Sequence, residues 1–551
     1  MGNNKKKVAF IPLLLLKQFT STFKNSISMK KINIFYCVVT MLSIWITFTQ
    51  CDKTPPENPA FEPYAETSLD ANAGNWKTYL TIDSTKTTVP TPDVAGSAAY
   101  LTELDHLRSK MAAATSEEKE LAVWWGGNGV LRWHEIAREL AANYNVPPNY
   151  VFDTTGTAVY PALVFDPANP DAYPRVPFTN PPVASRMLAL LAVAQYDALV
   201  ACWHRKFQHN RLAPYKNATD IQPLIPANDL PSYPSEDAVV AAASREILKF
   251  IFPREVANVI AKAEEHKNSR LWAGANVQSD LSAGDSLGRV IALNVINEWA
   301  KKDKMGAANA QANYPNLKAD ALSRGITQLW TSQDIPVRPP MLPFFGNVKT
   351  WNFDDAAKIA LRPPVPPQPG TPAFEVALEE LRGLAKNRSR EEQRITTFWA
   401  DGAGSYTPPG HWNRRAGELI YEKQFNEIRS ARAMALVNTA LEDAGITCWD
   451  VKYFYLLPRP TEIDPTVTTG TGIPNFPAYT YGHSTFSAAG AEVLSYLFPD
   501  HAGDLLDMAK EASNSRIYGC IHYRFDCEVG LEVGKKVGEY AVIRGRNDGS
   551  E

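Results

Sequence analysis

Cysteine is scarce: six occur in 551 residues, and none forms a CxxC pair, so a zinc ribbon has no support. Cys37 and Cys51 lie near the N-terminus, and Cys202, Cys448, Cys520 and Cys527 are spread through the body. For these four, burial as small hydrophobes is at least as good a reading as disulfide bonding. His106, His134, His204, His209, His266 and His501 form no ligand-spaced pair such as HExxH, and His204 and His209 read as surface residues. An excess of one charge is lacking too. The net charge of -3 gives no whole-protein argument for nucleic acid or an anionic membrane. Beyond the N-terminus no stretch supplies the ~20 uninterrupted apolar residues of a spanning helix. Strand-like alternation is scarce as well. Proline, by contrast, is plentiful at 41 residues, which suggests stiff loops or an extended connector.

Met29-Lys30-Lys31 followed by INIFYCVVTMLSIWITF reads as a charged region and an apolar core of an export signal. It ends at Phe48-Thr49-Gln50-Cys51, a loose match to a bacterial lipoprotein box. Residues 1–28 read as an upstream extension, 29–51 as signal and lipobox, and 52–65 as a Pro-rich tether. A plain transmembrane anchor is the alternative. The expected location is outside the cytoplasm, as a periplasmic or outer-membrane lipoprotein of a bacterium.

The length calls for two or more packed units, and an internal duplication supplies them. An offset of 246 residues aligns Arg186 with Arg432, Asp197 with Asp443, Cys202-Trp203 with Cys448-Trp449 and Lys206 with Lys452. The same offset aligns Phe252-Pro253 with Phe498-Pro499, Asn268-Ser269-Arg270 with Asn514-Ser515-Arg516, and Asp280 with Asp526. NPPVASRMLALLAVAQYDALVACW, SEDAVVAAASREILKFIF and HSTFSAAGAEVLSYLF carry apolar residues at three- and four-residue spacing. Ala-rich seams of this kind suggest antiparallel bundles. The expected organisation is an N-terminal helical half at 66–332, a Pro-rich connector at 333–373 and a C-terminal half at 374–551.

Three blocks in the last hundred residues describe one oxyanion cage. They are Lys452-x6-Arg459-Pro460, Gly482-His483 within PAYTYGHSTFS, and Ser515-Arg516-x5-His522-x3-Asp526. Arginine forks match paired oxygens of a tetrahedral anion, and lysine adds a point charge. Gly482 lets backbone N–H groups come close. One histidine attacks or ligates the anion and the other moves a proton. His522 needs an orienting partner, and Asp526, four residues on along a helix, reaches it. The first copy has Ala213, Asp237 and Asn276 where the second has Arg459, His483 and His522. It is therefore expected to be a structural pseudo-repeat. His411 reads as a loop histidine.

Together the blocks resemble the superfamily that joins type 2 phosphatidic acid phosphatases, class A acid phosphatases and vanadium-dependent haloperoxidases. Phe398-Trp399-Ala400-Asp401-Gly402, Tyr406-Thr407-Pro408-Pro409 and Trp412-Asn413 resemble the haloperoxidase branch, as do Trp449 and Phe476 at their spacing from Lys452 and His483. The resemblance covers roughly residues 180–540 and implies an all-α fold of two pseudo-symmetric four-helix bundles. It implies vanadate as cofactor, with His522 as the vanadium ligand. Lys452, Arg459, Tyr481, Gly482 and Arg516 would surround the oxygens. It further implies that His483 deprotonates hydrogen peroxide, that Asp401 stands behind His483 and raises its pKa, and that Trp449 and Phe476 wall a halide pocket. Hydrogen peroxide, halide and an organic acceptor are the implied partners, with hypohalous acid as product. One departure stands out: the family's second block reads Pro-Ser-Gly-His, and here it reads Thr480-Tyr481-Gly482-His483.

Two other readings use the same residues. In an exported acid phosphatase, His522 would attack phosphorus and His483 would protonate the leaving group. Tyr481 also leaves room for a non-catalytic oxyanion-binding lipoprotein.

Overall fold

Asn180 starts the first long helix: its side chain accepts the backbone N–H of Val183 at 3.2 Å, and two prolines fill the first turn, where a missing N–H costs nothing. Asn426 does the same for the second long helix, accepting from Arg429 at 3.0 Å. Both helices are 29 residues long and both stop at a residue in the left-handed region, Asn210 and Leu456. The computed structural model describes residues 61–551 except 66–67, 83–86, 146–150, 153–157, 160–178 and 336. The upstream extension, the export signal, Cys37, Cys51 and most of the tether lie outside the described residues.

The helices that position the site are α1 (Gly129–Tyr144), α2 (Pro181–His209), α3 (Glu236–Ile251), α4 (Val256–Trp272), α5 (Gln278–Val295), α6 (Thr407–Glu422), α7 (Glu427–Tyr455), α8 (Gly482–Leu497), α9 (Ala502–Tyr518) and α10 (Arg524–Arg546). Each of α7 to α10 begins 246 residues after its counterpart among α2 to α5. The fold is all-α, and its only strands among the described residues are the two-residue pair Val151–Phe152 and Ala158–Val159.

The two four-helix sets meet through α2 and α7, which pack along each other. One apolar core runs through both sets, so the halves expected at 66–332 and 374–551 share an interior. Helix α2 opens the only stretch among the described residues long and apolar enough to cross a bilayer, yet its apolar window is 94% buried inside the protein. Close crossings of α3 with α5 and of α8 with α10 depend on glycine. A Cβ at Gly288 would stand 2.2 Å from the Val239 carbonyl oxygen, and one at Gly534 would stand 2.3 Å from that of Thr485. Between α1, α6 and α7, Asn413 donates to Asn438 at 3.0 Å and accepts from Arg138 at 2.6 Å. This buried polar knot joins α6 to the core. Cys202, Cys448, Cys520 and Cys527 are free and buried, which removes the disulfide alternative for the body.

Candidate oxyanion site

Lys452 lies in the last turn of α7, Arg459 just before the short helix Pro460–Ile463, and Arg516 near the end of α9. All three are buried. The Lys452 ammonium donates to the carbonyls of Pro477 and Ala478 at 2.7 and 2.9 Å. Arg459 donates to Phe476 O through Nε and Nη2 and to Ile521 O through Nη1. Arg516 donates to the carbonyls of Thr396, Trp399 and Ala400. None of the three is ion-paired with a carboxylate among the described residues. Burial, with Arg459 adding repulsion, pushes Lys452 down to about 7, and burial lowers Arg459 to about 10.

His522 sits between Arg459 and Asp526. Arg459 Nη1 lies 2.8 Å from its Nε2, and Asp526 Oδ2 lies 3.0 Å from its Nδ1. A guanidinium only donates, so Nε2 carries the lone pair and Nδ1–H points at the carboxylate. Burial and then the positive charges of Arg459, Lys452 and Arg516 hold His522 well below the usual histidine range. The result is a neutral imidazole with a fixed tautomer and a lone pair at Nε2, the form in which histidine ligates or attacks. Asp526 Oδ2 also accepts the backbone N–H of Tyr523 at 3.1 Å, while burial pushes the carboxyl up to about 7.

His483 opens the first turn of α8. Its Nε2 lies 2.8 Å from Trp399 O and 3.1 Å from Arg516 Nη2. Nε2 thus faces both an acceptor, the Trp399 carbonyl, and a donor, the Arg516 guanidinium, so either tautomer finds a partner there. Asp401 does stand behind His483, at 3.8 Å from Nε2. The expected rise in the His483 pKa is corrected, however: burial and the Arg516 charge hold it well below the ordinary value. Asp401 also faces His411 Nδ1 at 3.4 Å. His411 is corrected from a loop residue to the first turns of α6, where it stacks on Trp399 with ring centroids 4.4 Å apart.

Tyr481 stands in the middle of the group. Its buried ring stacks on His483 at 5.3 Å and 16°, and lies 4.3 Å from the His522 ring at 45°. Gly482 follows, and a Cβ there would meet only Phe486 and Trp449 atoms at 3.9 and 4.0 Å. The glycine is therefore not forced by crowding among the described residues. Trp449 and Phe476 pack 5.0 Å apart, and Phe476 lies 5.0 Å from the Lys452 ammonium and 5.1 Å from the Arg459 guanidinium. The backbone carbonyls that hold the cations could not be read from side-chain identity.

The first copy shows what the second lacks. Lys206, the counterpart of Lys452, pairs with Glu236 at 2.7 Å. Arg270, the counterpart of Arg516, faces Asp237 at 3.8 Å, and Arg211 pairs with Asp280. Glu236 and Asp237 occupy the positions of Gly482 and His483. Burial alone would lower Lys206, but Glu236 holds it above its ordinary value. The first copy thus pairs its cations with carboxylates, whereas in the second Asp526 is engaged by His522 and none of the three buried cations has a carboxylate within ion-pair distance among the described residues. Buried charge is costly unless compensated, and a tetrahedral oxyanion from solution fits that deficit and the Nε2 lone pair together.

No family model matches the chain, and no curated protein matches it. Among solved structures it is similar to the first bacterial vanadium-dependent iodoperoxidase, at 24% identity and a TM-score of 0.51, over 66% of this chain and 91% of that one. The apo and holo forms of a bacterial vanadium-dependent chloroperoxidase align at 13% identity with TM-scores of 0.47 and 0.48, over 67% of this chain and 95% and 93% of theirs. The chain has the all-α fold of the vanadium-dependent haloperoxidases, as the resemblance of its motifs implied.

Proposed function

We propose that the cluster around His522 binds vanadate and that the protein is a vanadate-dependent haloperoxidase, oxidising halide with hydrogen peroxide to hypohalous acid. The observation that carries this reading is the set of three buried cations without a carboxylate partner, beside a first copy whose cations are neutralised internally. His522 would hold the vanadium through Nε2, with Asp526 fixing the tautomer. Lys452, Arg459 and Arg516 would neutralise the oxygens, as preorganised donors do wherever charge accumulates. Bound vanadate supplies Lewis acidity toward peroxide. His483, held neutral by burial and the Arg516 charge, would take the proton from hydrogen peroxide. Trp449 and Phe476 exclude water beside the cations and form the wall that a halide would meet. The first copy, on this reading, is structural.

The test is to purify residues 52–551, load orthovanadate, and assay iodide, bromide and chloride oxidation with peroxide. Hydrolysis of p-nitrophenyl phosphate is run in parallel. Halide oxidation that depends on vanadate supports the reading. Ester hydrolysis without halide oxidation replaces it with the phosphatase.

Export is a separate proposal. The segment 29–51 reads as a signal and Cys51 as a lipid site, and metabolic labelling with radioactive palmitate would attach label to the full chain but not to Cys51→Ser.

A further inference from the structure

We propose that Tyr481 is a plug that must leave its place between the two imidazoles before a tetrahedral anion can engage the cations. The inference rests on the anion-site reading above. The ring is in contact distance of both His483 and His522, so an anion bridging them has no room while it stays. The phenol gains little there: its buried hydroxyl makes no hydrogen bond of good geometry among the described residues, with only a weak interaction toward Ser515, and it does not cap the helix it precedes. A poorly satisfied buried hydroxyl favours any rearrangement that gives it a better partner.

The first copy supplies the comparison. Ser235 occupies the position of Tyr481. Its hydroxyl accepts the Ala238 N–H at 3.3 Å as the cap of α3. It also lies 3.3 Å from Asn276 Oδ1, and Asn276 holds the position of His522. A small hydroxyl at this point in the fold therefore caps its helix and reaches the ligand position without filling the space before it. The backbone ties are shared as well: Ser235 N donates to Asp280 O at 3.0 Å, and Tyr481 N donates to Asp526 O at 3.2 Å. Serine at 481 needs no new main-chain geometry.

A closed ring lowers apparent affinity by the fraction of molecules that are open. The experiment is equilibrium dialysis of orthovanadate, and separately of inorganic phosphate, against the wild type, Tyr481→Ser and Tyr481→Phe. Circular dichroism checks each fold, and Tyr481→Ala serves as a second small variant. The expected result is that Ser and Ala at 481 bind about tenfold or more tightly than the wild type, whereas Phe, which keeps the ring, does not. Adding Lys452→Met to Tyr481→Ser should abolish the gain. Equal affinity of the wild type and both small variants overturns the plug and leaves the anion site standing. Absence of binding in every folded variant overturns the plug and the anion site together.

Discussion

Lys452 and Lys206 are the same residue of a duplicated unit in two electrostatic settings, and they should respond to mutation in opposite directions. Lys206→Met leaves the partly buried Glu236 without its partner and should cost about 3 kcal/mol in urea unfolding. Lys452→Met removes a charge with no carboxylate partner and should stabilise the anion-free protein by about 1–4 kcal/mol while destroying anion binding. Asp526→Asn disturbs the Nδ1 partner of His522 and should weaken vanadate binding by about 10–100-fold, read by dialysis. Glu442 of α7 is buried with one oxygen on Trp351 Nε1 at 2.6 Å and the other unpartnered, and burial pushes it up to about 8. A carboxyl raised by folding stabilises while it is protonated. That contribution is complete below its unfolded value of 4.5 and is lost as pH rises through about 8. Unfolding free energy should therefore fall by about 1.4 kcal/mol per pH unit within that window. Asp197, Asp443 and Asp526, each raised to about 7 by burial, add slopes of the same sign, so Glu442→Gln should remove only its own share in urea titrations at several pH values.

Helix crossings set how accurately these residues meet. The α8–α10 crossing brings His483 and the loop carrying His522 to one place, and Gly534 lets the helices touch. Gly534→Ala should destabilise by about 1–3 kcal/mol through overpacking. Gly383, in the helix Pro372–Asn387, has nothing near a Cβ, and Gly383→Ala should stabilise by about 0.5–1 kcal/mol. Thermal unfolding of the two variants distinguishes a packing glycine from an incidental one. The helices α2, α3 and α8 were legible because apolar residues recur through them at three- and four-residue spacing. The helix that begins at Thr407 was not, because Thr-Pro-Pro-Gly carries both loop and helix-start signals. His411 was misplaced with it.

Across the whole molecule, the 246-residue repeat was readable because a gapless duplication preserves residue spacing, and it recurs in the helix starts from α2 to α10. The site was legible where side-chain type carries the chemistry: Arg459, His522 and Asp526 meet as their spacing implied. It was not legible where the backbone acts. The carbonyls of Phe476, Pro477 and Trp399 hold the cations, and carbonyl positions leave no mark in residue identity. Nor could spacing reveal that Glu236 and Asp237 serve as the internal anion of the first copy, since pairing depends on where the chain folds back. On the proposed reading, the duplication separates a half whose cations meet carboxylates from one whose cations would meet a ligand. Diffraction from crystals of the protein grown with saturating orthovanadate tests that division most directly. The account predicts vanadium bonded to His522 Nε2, its oxygens met by Lys452, Arg459 and Arg516, and the Tyr481 ring moved aside. Vanadium bound elsewhere, or an unchanged Tyr481 ring between His483 and His522 with no anion beside it, would contradict it.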